Sequence, residues 1–236
     1  MEKENDWKFF YENYRNIEGN NEEDLYFQVG KTINSAPISE QQFGLILNSI
    51  TTNLKLNKND TILELCCGNG LVTHPLSFFV KKIYAFDFTS RLIETAKKYK
   101  QTNTIFYTTG DAKDNFFDFF QFETIPNKFL MNDAMACFMP EDVASIVQKM
   151  LHIPFHFYIT GVPNNDLKWK FYNTPERKEK YLKNVEKNDI FNEGMGRWFS
   201  EQEFIDIATK FNINIHIEKQ WEGVANYRMN VLFFNH

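Results

Sequence analysis

The run Thr61-Ile-Leu-Glu-Leu-Cys-Cys-Gly-Asn-Gly70 constrains this chain more than any other segment. An apolar, strand-forming stretch carries an acid near its end and passes into a glycine-containing turn, with a helical pattern beyond. Glycine lets the backbone turn left-handed and approach a ligand closely, and a helix that follows offers unpaired N–H groups. A strand, turn and helix in this order hold a nucleotide-bearing cofactor at the edge of a parallel sheet.

The surrounding pattern supplies the sheet. Strand-like runs occur at 61–65, 82–86, 104–108, 128–132 and 155–160, with helical patterns at 71–79, 90–100 and 141–151 between them. A weaker, phenylalanine-rich helical pattern covers 115–122. This alternation predicts βαβ units with helices on both faces of the sheet. Ser200-Glu-Gln-Glu203 reads as a capping box for one more helix, and strands near 212–218 and 228–234 follow with a short connection. The expected fold is therefore α/β: a Rossmann-like, seven-stranded mixed sheet closed by an antiparallel C-terminal hairpin. Residues 1–57 read as an N-terminal helical cap, with Ser39-Glu-Gln-Gln42 opening its last helix. Residues 58–236 read as the cofactor-binding domain, with 163–197 as a lid or substrate-binding insertion.

The 25 phenylalanines are spread throughout the chain and read mainly as coding bias. The net charge of −5 leaves no broad basic footprint, so nucleic acid is not an expected partner. The only cysteines, Cys66, Cys67 and Cys137, show no metal-type spacing, and no metal is expected. No apolar run is long enough to cross a bilayer and the start is no signal sequence, so a cytoplasmic setting and no membrane partner are expected. Gly30-Lys31-Thr32 imitates the end of a phosphate loop, but the earlier glycine would fall at Leu25, outside any strand–loop–helix frame.

The turn Glu64-Leu-Cys-Cys-Gly-Asn-Gly70 resembles the first motif of class I S-adenosylmethionine-dependent methyltransferases, Asp/Glu-x-Gly-x-Gly-x-Gly. Cys66 stands in place of the first glycine, a change of little consequence at an ordinary φ. The resemblance covers residues 58–162 well and 195–236 loosely. It implies S-adenosylmethionine as cofactor, with Glu64, Cys66, Gly68 and Gly70 forming its turn. Asp87, followed by Phe88, ends the second strand, where the family's carboxylate accepts the ribose hydroxyls. Asp111 and Ala112 fall where the family meets adenine, and Asn132 and Asp133 follow the fourth strand, near the expected methyl acceptor.

Methyl transfer requires alignment of donor and acceptor, and a base where the acceptor is a hydroxyl. Asp133 is the candidate base or acceptor-positioning group. His74, His152 and His156 lie where structural roles are favoured. Tyr26 and Lys31, in the segment before the cofactor domain, are candidates for the donor's methionine end, and Tyr14 and Arg15 for the acceptor. In the insertion, Lys168, Trp169, Lys170 and Arg177 suggest an anionic small-molecule acceptor, such as a phosphorylated or nucleotide-linked carbohydrate or capsule precursor, with O-methylation favoured. A solvated amphipathic helix explains the same charge run. Two other readings stand beside this one: an RNA or protein methyltransferase, and a non-catalytic subunit that binds the cofactor or a partner.

Overall fold

A computed structural model of the chain describes residues 7–13, 21–33, 36–186, 196–221 and 223–235. The residues fall into two compact units, 1–131 and 132–236.

Unit one begins with α1 (Trp7–Asn13) and α2 (Glu22–Gln28), followed by the two-residue strands β1 (Thr32–Ile33) and β2 (Ala36–Pro37) and the helix α3 (Glu40–Asn53). The expected capping box opens α3: Ser39 Oγ accepts from Gln42 N, and Gln42 Oε1 accepts from Ser39 N. Then come β3 (Thr61–Leu65), α4 (Thr73–Leu76), β4 (Lys82–Asp87), α5 (Ser90–Tyr99), β5 (Ile105–Thr109) and β6 (Lys128–Asn132). All five residues of β3 are buried. Such a strand, covered on both faces, reads as a continuous apolar run interrupted here only by Glu64. Parallel pairing sets Leu65 beside Phe86 and Met131, which brings the carboxyl ends of β3, β4 and β6 to one edge.

Two expected elements differ from the sequence reading. The helix after the glycine turn is only four residues long. Pro75 removes a backbone donor, and the chain beyond it tightens into shorter bonds, Phe78 N to Pro75 O and Phe79 N to Leu76 O. The segment 115–122 is not an α-helix but a 3₁₀ turn at Phe116–Phe119. Its rings surround β4: Phe119 meets Phe86 edge-on at 5.1 Å, and Phe120 and Phe122 lie 5.2 and 4.8 Å from Tyr84. This local concentration of phenylalanine packs around Tyr84 and Phe86. Phe116 is fully buried, which contributes about 1.5–3 kcal/mol; the other rings are partly exposed and contribute less.

Unit two contains α6 (Pro140–Met150), β7 (His156–Pro163), α7 (Lys168–Phe171), α8 (Pro175–Glu186), α9 (Glu201–Phe211), β8 (Asn214–Lys219) and β9 (Arg228–Phe234). The second expected capping box is formed at α9, between Ser200 and Glu203. β9 pairs antiparallel with both β7 and β8. The register on β7 shifts between Ile159 and Val162, a bulge centred on Thr160 and Gly161. His156, at the start of β7, stacks on Phe234 and has the packing role expected of it. The strand order is β5-β4-β3-β6-β7-β9-β8, the expected seven-stranded mixed sheet with its C-terminal hairpin.

Candidate functional site

The glycine turn leaves β3 through three left-handed residues, Cys66 (φ 57°), Gly68 (φ 57°) and Gly70 (φ 75°). The Cys66 position is therefore one that favours glycine, contrary to the ordinary φ that would have made the substitution immaterial. A side chain there costs about 1–2 kcal/mol. Glycine is required by contact at the other two. A Cβ on Gly68 would come within 2.7 Å of Val29 Cγ1, and one on Gly70 would overlap the Tyr107 hydroxyl.

Three N–H groups of the turn are spent inside the fold. Gly68 N donates to Asp87 Oδ2 at 3.0 Å, Gly70 N to Cys67 O at 3.2 Å, and Leu71 N to Asn69 Oδ1 at 3.2 Å. A turn that cradles pyrophosphate presents such groups to the anion. This one instead holds a carboxylate. Asp87 is 5% exposed, and its second oxygen accepts from Thr89 N at 2.8 Å. Burial raises its pKa, backbone donation from Thr89 and Gly68 works against that rise, and Asp111 adds to it.

Glu64 is the least satisfied member of the group. It is 1% exposed, and its Oε2 has no hydrogen-bond partner among the described residues. Burial pushes its pKa up to about 8, with Thr73 lowering it, Asp87 raising it and Lys31 lowering it. The buried Cys67 thiol is also raised, by burial first and then by Glu64 and Asp87, which leaves it inert. Asp111 is exposed and closes a short turn by accepting from Lys113 N at 2.9 Å; Ala112 is buried and Phe88 half-buried.

The segment before α3 is fastened to this turn. Leu25, Tyr26 and Leu71 form an apolar cluster with Val29, Ile38 and Phe43, and Lys31 is buried at 6% exposure. The fastening residue is Asn69, which sequence reading passed over. Its Nδ2 donates to Leu25 O at 2.8 Å and to Gln28 Oε1 at 2.9 Å, and both side chains are fully buried. Its position between two turn glycines was the available signal. Asn69→Ala removes both hydrogen bonds from a buried site, at about 1–3 kcal/mol. The expected result is faster amide exchange in α2 than in β3, measured by hydrogen exchange; uniform protection would refute the latch.

In unit two, Asn132 donates through its side-chain amide to the Thr160 hydroxyl. Asp133 is left-handed (φ 55°), and its N–H donates to Thr160 O at 3.0 Å. Its Oδ1 accepts from Arg228 Nη1 at 2.5 Å. Gly161 is required beneath it, because a Cβ there would overlap this oxygen. Burial opposes the charge on Arg228, but Asp133 and Tyr227 outweigh it and hold the guanidinium above its ordinary pKa. Arg228 stands 95 positions from Asp133, and no sequence signal connects them.

Two of the insertion's candidate cations have local partners. Lys168 donates to Asn165 Oδ1 at 3.1 Å and lies over the Trp169 and Tyr181 rings. Arg177 donates to Phe171 O at 3.2 Å and lies over the Phe171 ring. Lys170 is exposed on α7. Tyr14 and Arg15 lie outside the described residues. Among the described residues there is no group of three side chains that could hold a metal ion, and no helix long and apolar enough to cross a membrane.

No family model and no curated protein matches the sequence. Solved structures do. Magnesium protoporphyrin IX methyltransferase from Synechocystis PCC 6803, with bound SAH, is 13% identical, with a TM-score of 0.59 over 98% of this chain and 96% of that one. The plantazolicin methyltransferase BamL, in complex with a desmethyl plantazolicin analogue and SAH, is 15% identical, with a TM-score of 0.56 over 84% and 88%. DhpI, in a complex with SAM, is 12% identical, with a TM-score of 0.57 over 83% and 86%. The chain has the fold of the class I S-adenosylmethionine-dependent methyltransferases.

Proposed function

We propose that this protein transfers a methyl group from S-adenosylmethionine to a small molecule. The observation that carries the reading is the acidic cradle at the carboxyl ends of β3 and β4. There, Asp87 is fixed by a glycine-turn N–H, beside a buried Glu64 oxygen that has no hydrogen-bond partner among the described residues. A phosphate-bearing cofactor would face carboxylates where it needs donors. A ligand with ribose hydroxyls and an ammonium group would find acceptors. The named neighbours bind SAM or SAH; one is named for magnesium protoporphyrin IX and another holds a desmethyl plantazolicin analogue, which supports the same reading.

In this reading, Asp87 accepts the ribose hydroxyls, Asp111 accepts the adenine amino group, and the Ala112 N–H faces a ring nitrogen. Phe88 and Tyr26 border the ligand, Cys66, Gly68 and Gly70 shape its bed, and Asn132 stands at the end of β6. Glu64 meets the ammonium of the methionine moiety and Lys31 its carboxylate. When bound, the sulfonium supplies an electrophilic methyl group. The chain's task is then to orient the acceptor and exclude water. Lys168, Trp169 and Arg177 have structural partners within the insertion, so the acceptor's chemistry is better sought at other side chains of unit two.

Calorimetry with SAM and SAH, on protein freed of carried-over ligand, tests the proposal. One equivalent of each should bind, and Asp87→Asn should weaken binding by about 2 kcal/mol, the value of charge-assisted hydrogen bonds. Absence of binding to the unsubstituted protein, or equal binding by the variant, would overturn it.

A further inference from the structure

Beyond the carboxyl end of β7, the chain builds a second arrangement that donor binding does not use. The segment 196–199 crosses this end as a strap: Arg197 N donates to Ala136 O at 2.9 Å, Phe199 N to Pro163 O at 2.8 Å and Asn165 N to Phe199 O at 2.8 Å. Ligands of open α/β sheets bind at this end of the strands. On the strap, Trp198 lies 6.0 Å from Tyr227 and 6.0 Å from Phe171, and Phe171 lies 4.9 Å from Tyr227. These three rings are each partly exposed. Arg228 lies over the Tyr227 ring, with its guanidinium carbon 5.5 Å from the centroid.

Two buried donors in this group, Trp198 Nε1 and Arg228 Nε, have no hydrogen-bond partner among the described residues. A protein interior rarely leaves such donors unused, and a ligand oxygen would satisfy them. Asp133 has already taken the charge of Arg228, so an anion placed there would face a carboxylate. An uncharged oxygen meets the guanidinium edge without that repulsion. The three rings pack against one another at these spacings, and their exposed portions offer an aromatic surface on which a flat ring can lie.

We propose that Arg228, locked by Asp133, and the ring wall of Trp198, Tyr227 and Phe171 form the acceptor subsite, which takes a flat unsaturated ring bearing an uncharged hydroxyl. This assignment rests on the methyltransferase reading for its role and on unit two alone for its geometry. Arg228 acts as a specificity-determining residue: it donates to the ring's oxygen, and Asp133 keeps it in place. Of the insertion's cations, Arg177 lies over the Phe171 ring of this wall.

The test uses 4-fluorophenol as probe, observed by fluorine NMR, with 4-fluorocyclohexanol and inorganic phosphate as comparisons. The phenol should bind the full chain with a Kd of about millimolar, as a fragment of that size can. It should bind at least fivefold tighter than the saturated alcohol, and phosphate should not displace it. Arg228→Lys keeps the ion pair but loses the Nε–H, and should weaken the phenol at least fivefold. The double variant Asp133→Asn with Arg228→Gln removes the buried charges together, avoids a stranded carboxylate, and should do the same. No phenol binding, equal binding of the saturated alcohol, displacement by phosphate, or unchanged affinity in both variants would each overturn the subsite. A parallel SAM titration separates the readings: its failure removes the methyltransferase assignment and leaves the ring subsite to stand or fall on the probe.

Discussion

Gly70→Ala is expected to lower the unfolding midpoint by about 4–20 °C and to abolish measurable SAM binding, while Cys66→Gly leaves stability within about 1 kcal/mol of the starting protein. Both positions lie in the left-handed region. Alanine at Gly70 takes on backbone strain of about 1–2 kcal/mol. It also forces its methyl group against the Tyr107 hydroxyl and within 3.2 Å of Lys100 Cβ, an overpacking cost of about 1–3 kcal/mol. Tyr107 sits on β5 and is buried, so it cannot swing into solvent without opening the sheet edge. At Cys66 the strain is already present. Glycine relieves it, and the gain is offset by the extra freedom glycine gives the unfolded chain. Thermal unfolding of both variants decides the matter. A Gly70→Ala protein with an unchanged midpoint would mean the turn is not held as described.

The second large effect is a pH dependence centred on Glu64. Its pKa is about 8 in the folded chain against 4.5 for the free side chain, so the folded state binds the proton more tightly. The stability linked to this group is fully present below pH 4.5 and is lost as pH rises through 8, with a slope near neutrality of about 1.4 kcal/mol per pH unit. Asp87 is shifted in the same direction, so Glu64→Gln is needed to isolate the effect. The difference in unfolding free energy between the variant and the parent should move in the variant's favour as pH rises from 5 to 8. An ammonium group meeting Glu64 would require its ionised form. SAM affinity of the parent should then rise by up to about tenfold per pH unit below pH 8, with proton release on binding, and the variant should lose this slope. Parallel pH profiles for the two proteins would leave Glu64 outside the donor site.

Much of this arrangement was legible beforehand because it is local. The strand Thr61–Leu65, the capping boxes at Ser39 and Ser200 and the alternation of strands and helices each depend on neighbours within a few positions. Their spacing writes the periodicity directly into the chain. The glycine turn was read as a cofactor bed for the same reason. The short helix at Thr73–Leu76 departs from the apolar pattern, which continues to Phe79, because the bonding after Ser77 tightens to Phe78 N–Pro75 O and Phe79 N–Leu76 O. The phenylalanines at 116–122 were misread because their packing against Phe86 and Tyr84 depends on where β4 lies.

The sequence by itself determined the α/β order, the acidic residues at strand ends and the turn between Glu64 and Gly70. Hydrophobic periodicity, turn chemistry and capping act over one or two turns of chain, and a linear reading captures them. Only the tertiary structure decided that Cys66 is left-handed, that Asn69 fastens α2 to the turn, and that Glu64 is buried with an oxygen that has no hydrogen-bond partner among the described residues. It also decided that Asp133 is committed to Arg228. Burial and pairing are set by which distant residues the sheet and its bulge bring together, and a carboxylate's charge, partner and usefulness follow from those surroundings more than from its place in the sequence.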